Sequence, residues 1–148
     1  MSNDQQPIVF FTIVARNYMA YARTLCQSIA RHHPDSRIYI GLSDRHGNGV
    51  DLGGNDFQVI MVGQLDLPNL DQFAFRYDVM EFSTAIKPYM FRWLFRNSGA
   101  DKVVYLDPDI LVLSPLEKVV DLLDRGATAV LTPHLTSRVD DDHNPDET

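Results

Sequence analysis

The sequence predicts an α/β fold in which a mostly parallel sheet is flanked by helices on both faces. Short apolar runs rich in β-branched and aromatic residues, such as IVFFTIV at 8–14, are typical of strands buried on both sides. Longer segments with apolar residues at helical spacing separate most of these runs. The 148 residues contain no internal repeat and fit one domain of ordinary size.

Five strands are predicted. They cover residues 8–14, 37–42, 57–62, 102–106 and 127–131. A first helix follows Asn17, which is a favoured N-cap residue, and ends before Pro34. The glycine-rich stretch 44–56 predicts a loop, and residues 63–82 predict short helical turns.

A second long helix is predicted from a cap at Ser83 or Thr84 to Asn97, with Gly99 as its stop. Pro88 lies too deep for the first turn of such a helix, so we expect a break at Lys87 and a main segment that starts with Pro88. Apolar residues cover most of the circumference of this helix, which predicts that it is largely buried. An extended piece at 110–113 and a third helix at 115–125 are expected to follow.

Composition excludes several classes of protein. The net charge is −7, but five of the acids lie in the last ten residues, so the body of the chain is near neutral and has no basic footprint for nucleic acid. We expect an α/β domain over 1–136 and an acidic, disordered tail over 137–148. The single cysteine, Cys26, excludes a disulfide framework.

No stretch has the length or apolar character of a membrane span or a secretory signal. We therefore expect a cytoplasmic protein, and peripheral association with the inner face of a membrane is left open.

Asp107 and Asp109 are the strongest candidate site residues, because they directly follow the apolar strand KVVYL, which is predicted to be central. On extended backbone, residues two apart point to the same side of the sheet. Two adjacent carboxylates repel each other unless a cation lies between them, and such ligands suit Mg²⁺ or Mn²⁺ shared with substrate phosphates. The alternative is that Asp-Pro-Asp forms a solvated turn with no further role.

The segment YLDPDILVLSPL resembles the metal-binding segment of nucleotide-sugar glycosyltransferases of the GT-A fold, and family eight in particular. The opening VFFTIVARNYMAYARTL and the segment FSTAIKPYMFRWLF are similar to two further regions of that family. The resemblance covers residues 8–133. It implies an incomplete GT-A fold with a Rossmann-like sheet, and it covers only the donor-binding half of such an enzyme.

The resemblance also implies roles for individual residues. Thr12, Asn17 and Tyr18 would hold the nucleoside, Asp107 would contact the ribose or a metal ion, and Asp109 would chelate the metal. Lys87 is the candidate for the basic group that approaches the diphosphate or the sugar.

The implied reaction transfers a hexose from a nucleoside-diphosphate sugar to a sugar or lipid-linked acceptor with retention of configuration, and it depends on Mn²⁺ or Mg²⁺. A UDP-sugar is the expected donor, although Ala15 and Arg16 stand where the family commonly has acids, one of which contacts uracil. The family's third metal ligand and its acceptor residues belong to a further half. This chain alone is therefore expected to be inactive and to self-associate through uncovered surfaces.

Two other functions remain open at this stage. In a phosphatase of the haloacid-dehalogenase type, Asp107 would be the nucleophile and Asp109 the general acid. Leu111 departs from that pattern, and only 39 residues follow Asp109. The other possibility is a nucleotide-binding module without turnover. For the individual residues, the alternative is that Thr12 and Tyr18 are ordinary strand and helix-start residues and that Lys87 only marks a helix break.

Overall fold

The computed structural model describes residues 7–44, residue 54 and residues 56–133. The chain divides into two compact units, Met1–Pro115 and Leu116–Thr148. Most of the predicted loop at 44–56 and the predicted tail at 137–148 lie outside the described residues. Among the residues that are described, no helix combines the length and the apolar character needed to cross a bilayer.

The first unit contains a four-stranded sheet that is parallel throughout, as the sequence predicts. Its strands are β1 (Val9–Val14), β2 (Arg37–Leu42), β3 (Gln58–Met61) and β4 (Val103–Tyr105). The strand order is β3-β2-β1-β4, and all three pairings are parallel. The chain therefore adds strands on one side of β1 before it returns to the other side to form β4.

In the first unit, helices connect and cover the strands. They are α1 (Met19–His32), α2 (Leu70–Phe75), α3 (Val79–Ala85) and α4 (Lys87–Asn97), with 3-10 turns at Arg16–Tyr18 and Val62–Gln64. The second unit contains α5 (Glu117–Asp124). On one face of the sheet, Phe11 and Ile13 join a core cluster with Ile86, Met90 and Leu94. On the other face α1 packs against β1 and β2 and buries its apolar residues Leu25, Cys26 and Ile29. The predicted arrangement with helices on both faces is confirmed.

The predicted helix starts are partly wrong. Asn17 is not an N-cap, because it lies within a 3-10 turn in which the Tyr18 N–H donates to the Ala15 carbonyl. The helix expected to begin at Ser83 or Thr84 begins earlier, since Asp78 and Glu81 form a reciprocal capping box at the start of α3.

The predicted break before Pro88 exists but lies one residue earlier than expected, because a turn at Ile86 separates α3 from α4 and Lys87 is the first residue of α4. Gly99 has a φ of 69° and ends α4 as expected. The expectation that this helix is largely buried is wrong. Only Met90 and Leu94 are fully buried in α4, and half of Phe95 is exposed to solvent.

Two strand predictions also need correction. Segment 102–106 is not central: β4 pairs only with β1 in the described sheet, and its three residues are half-buried. Residues 110–113 form neither helix nor strand, and the strand predicted at 127–131 is absent. In the second segment Leu131 is 86% exposed, and an apolar run without a neighbouring strand has no partner for its backbone hydrogen bonds.

Candidate functional site

The candidate site lies where β1 and β4 end. These strands are neighbours in the sheet, although β2 and β3 lie between them in the chain. Ligands of parallel α/β sheets bind beyond the carboxyl ends of the strands where the strand order reverses in this way. Leu106 extends the pairing by one residue, since its N–H donates to the Phe11 carbonyl at 3.0 Å. Asp107 follows directly. Because α4 leads back from this edge to the start of β4, its first residue, Lys87, also lies here.

Asp107 is held by two side chains. The Tyr105 hydroxyl donates a hydrogen bond to Oδ1 of Asp107 at 2.7 Å. The Lys87 Nζ lies 3.7 Å from the same oxygen and 4.3 Å from the centroid of the Tyr105 ring. The structure therefore brings together two residues predicted from the sequence, Lys87 and Asp107. It adds Tyr105, which the sequence reasoning missed although a tyrosine two residues before Asp107 shares its side of a strand.

The environment of Tyr105 keeps its hydroxyl protonated. Burial is the largest cause that raises its pKa, followed by the hydrogen bond to Asp107 and the negative charges of Asp107 and Asp109. A hydroxyl whose pKa is raised in this way remains a hydrogen-bond donor throughout the neutral range.

The Asp-Pro-Asp segment forms a turn, so the prediction of extended backbone there is wrong. The Ile110 N–H donates to the Asp107 carbonyl at 3.1 Å, and residues 108 and 109 form the turn between them. Asp at the first position and Pro at the second are typical of such turns. Both carboxylates remain exposed at the edge of the sheet.

The carboxylate oxygens of this turn are ligands that suit a cation shared with a substrate. No group of three or more His, Cys, Asp or Glu side chains that could hold a metal ion occurs within the described ranges. Mg²⁺ typically takes one or two protein carboxylates and completes its shell with phosphate oxygens and water. Asp107 and Asp109 are thus suited to such a shared ion rather than to a site closed by protein ligands.

The residues predicted to hold the nucleoside are placed differently from one another. Thr12 is 1% exposed, and its Oγ1 has no hydrogen-bond partner in the part of the chain that the structure describes. It lies within β1, two residues before the strand ends. Asn17 and Tyr18 lie on the exposed 3-10 turn after β1, and the Tyr18 ring is 5.4 Å from the Tyr21 ring. The structure therefore places Asn17 and Tyr18 at the edge of the sheet but encloses Thr12.

A cavity of about 290 Å³ opens next to this edge, after the ends of β1 and β2. Its lining residues are Ala15, Ser43, Asp44, Ala74, Tyr77, Asp78, Val79 and Phe82. Asp44 is fixed there, because its Oδ2 accepts the Arg16 N–H at 2.6 Å. Sequence reasoning missed this cavity, which combines two strand ends with α2 and α3, although the position of Asp44 two residues after a strand was a usable signal.

Solved structures that are similar to this chain include two of the galactosyltransferase LgtC. One is its complex with donor and acceptor sugar analogues, with a TM-score of 0.45 and 23% identity over 76% of this chain and 42% of that chain. The other is an active-site mutant, with a TM-score of 0.40 and 21% identity over 76% and 41%. This chain thus spans less than half of the length of the LgtC chains. No protein-family model matches the sequence, and no curated protein matches it.

Proposed function

We propose that this chain is the donor-binding part of a glycosyltransferase that uses a nucleoside-diphosphate sugar together with Mg²⁺ or Mn²⁺. The observation that carries the proposal is the grouping of Lys87, Asp107 and Asp109 at the carboxyl edge of a parallel sheet. The ammonium of Lys87 lies beside the exposed carboxylate of Asp107, and a second exposed carboxylate, Asp109, follows two residues later. This set offers direct contact to a diphosphate and, through a shared cation, indirect contact as well.

Charge explains why transfer from such a donor needs these groups. When the bond between the sugar and the diphosphate breaks, negative charge grows on the leaving phosphate oxygens. A bound Mg²⁺ or Mn²⁺ supplies Lewis-acid stabilisation of that charge. Lys87 contributes a fixed positive charge beside the same place, and Asp107 and Asp109 hold the cation.

The nucleoside is proposed to lie between the β1 turn and the cavity. Tyr18 and Tyr21 have exposed fractions of 49% and 57%, so they offer aromatic surface to a base. The Asp44 carboxylate accepts hydrogen bonds from N–H groups, which every common base presents on one edge. In this proposal the donor is a UDP-hexose, the acceptor is a sugar or is lipid-linked, and the transfer retains the configuration of the sugar.

Isothermal calorimetry with UDP, GDP and their hexose derivatives tests this proposal, in the presence of Mn²⁺, Mg²⁺ or excess chelator. Binding of at least one nucleotide should require the divalent ion. Asp109→Ala should weaken that binding at least tenfold, while its melting temperature stays close to that of the wild type because Asp109 is exposed. Asp35→Ala is the control, since Asp35 is an exposed acid at the opposite, amino edge of the sheet.

Two results would contradict the proposal. Equal binding in excess chelator would remove the role of the metal and favour a binding module without metal-dependent chemistry. Hydrolysis of a simple phosphomonoester that is lost in Asp107→Asn would favour the phosphatase in which Asp107 is the nucleophile.

A further inference from the structure

The two carboxylate oxygens of Asp107 have different surroundings. Oδ1 accepts the Tyr105 hydroxyl at 2.7 Å and lies 3.7 Å from the Lys87 Nζ. Within the described residues, no hydrogen bond to Oδ2 is found. One oxygen is therefore held by the protein, and the other is left for a ligand.

The Tyr105 side chain, whose hydroxyl holds Oδ1 of Asp107, is itself fixed by its neighbours. It is paired in register with Phe11 of β1, and its ring centroid lies 5.1 Å from that of Phe11. The Lys87 ammonium covers the ring at 4.3 Å from its centroid. Because a tyrosine side chain has only two rotatable bonds before its rigid ring, contacts that fix the ring also fix the hydroxyl.

The geometry points to Tyr105 as a positioning residue: its hydroxyl holds Oδ1 of Asp107 and thereby presents Oδ2 to the divalent cation that a donor diphosphate brings. This inference rests on the proposed function and adds to it a residue outside the acidic pair. The Asp107 side chain is 57% exposed, so without a partner its carboxylate would rotate freely. The Lys87 contact cannot replace the hydroxyl, because a partly exposed ion pair at 3.7 Å restrains geometry only weakly.

The expected size of the effect follows from metal sites in general. Removing a group that orients a ligating side chain lowers metal affinity about 10–100-fold. Tyr105 contacts one of two carboxylates at this site, so we expect the lower end of this range for a cation bound together with a nucleotide.

Tyr105→Phe tests the inference, because it removes one oxygen atom and keeps the ring. Tyr89→Phe is the matched control: Tyr89 is a half-buried tyrosine on α4, and its hydroxyl has no hydrogen bond among the described residues. Calorimetry with Mn²⁺ and UDP should show about tenfold weaker binding for Tyr105→Phe and unchanged binding for Tyr89→Phe. The rise in melting temperature that Mn²⁺ and UDP cause should shrink only in Tyr105→Phe. Because this rise compares bound with free protein of one variant, altered stability of the free fold alone does not reproduce it.

The outcomes separate the two proposals. If the wild type binds Mn²⁺ with UDP and Tyr105→Phe binds them equally well, the positioning role is wrong and the proposed function stands. Equal weakening in both tyrosine variants would also overturn the positioning role, because it would show a general effect of lost hydroxyls. If the wild type binds neither UDP nor GDP in the presence of Mn²⁺, the proposed function fails, and the role of Tyr105 fails with it.

Discussion

At the scale of single residues, Lys87 shows how one side chain serves both the fold and the site. Its backbone begins α4 directly before Pro88, and proline is tolerated in the first turn of a helix. Its ammonium lies against Asp107 and over the Tyr105 ring. The break in the helical pattern and the candidate phosphate-binding group are thus the same feature of the sequence.

Cys26 has the opposite character, because it is fully buried on α1. Burial raises the pKa of its thiol from 9.0 to about 12, with a smaller contribution from the charge of Asp56. The unfolded chain therefore releases this proton at a lower pH than the folded protein does.

We expect this difference to make stability depend on pH. The contribution of the protonated thiol is fully present below pH 9 and is lost as the pH rises from about 9 towards 12. The free energy by which wild type exceeds Cys26→Ala should thus fall above pH 9, by at most about 1.4 kcal/mol per pH unit. Urea unfolding of both proteins between pH 7 and pH 10.5 measures it. A difference that stays constant over this range would show that the thiol is not shielded.

At the scale of elements, α1 is tied to the segment that follows the acidic turn. The Ser28 hydroxyl donates to the Leu25 carbonyl at 2.7 Å and accepts the Val112 N–H at 3.1 Å. Both Ser28 and Val112 are buried. One hydroxyl thus gives a partner to a backbone donor that would otherwise be buried alone, and it anchors the chain three residues after Asp109.

Ser28→Ala should therefore lower the free energy of unfolding by about 1–3 kcal/mol, the cost of a buried donor without a partner. Ser83→Ala is the control. Its hydroxyl also donates to a helix carbonyl, that of Val79 at 2.9 Å, but it accepts no hydrogen bond among the described residues, so its removal should change stability little. Urea denaturation of the three proteins measures both effects. Equal stabilities of the two variants would show that Val112 gains nothing from Ser28.

At the scale of the whole molecule, the division into two units separates the candidate site from the end of the chain. The first unit, Met1–Pro115, contains all four strands and the whole core cluster. It also contains the candidate site residues Lys87, Tyr105, Asp107 and Asp109. The second unit contributes α5 and none of the residues proposed to contact the donor.

A chain that ends at Pro115 should consequently keep a cooperative thermal transition. It should also retain binding of Mn²⁺ with a nucleotide within about threefold of the full chain, a difference of less than 1 kcal/mol. Circular dichroism during heating and calorimetry measure these two properties. Loss of cooperative melting would show that the first unit does not fold alone, and a folded but non-binding chain would show that the site extends beyond it.

The sequence by itself determined the class of fold and the position of the acidic pair. Buried parallel strands need continuous apolar runs, and such runs stand out along the chain in β1 and β2. That Asp107 lies at the carboxyl edge followed from the run before it. These features are local, because each depends on residues that are neighbours in the chain.

Tertiary structure alone decided which segments pair and which side chains meet. The apolar runs at 103–105 and 127–131 look alike in sequence, yet only the first pairs with β1 in the described sheet, because pairing requires a neighbouring strand that no local pattern encodes. The helix begins after Asp78 and not at the cap expected at Ser83 or Thr84. The reason is that the capping box of Asp78 and Glu81 gives partners to two backbone N–H groups at once. Lys87 and Asp107 are 20 positions apart, and the return of the chain through α4 and β4 is what brings the ammonium to within 3.7 Å of the carboxylate.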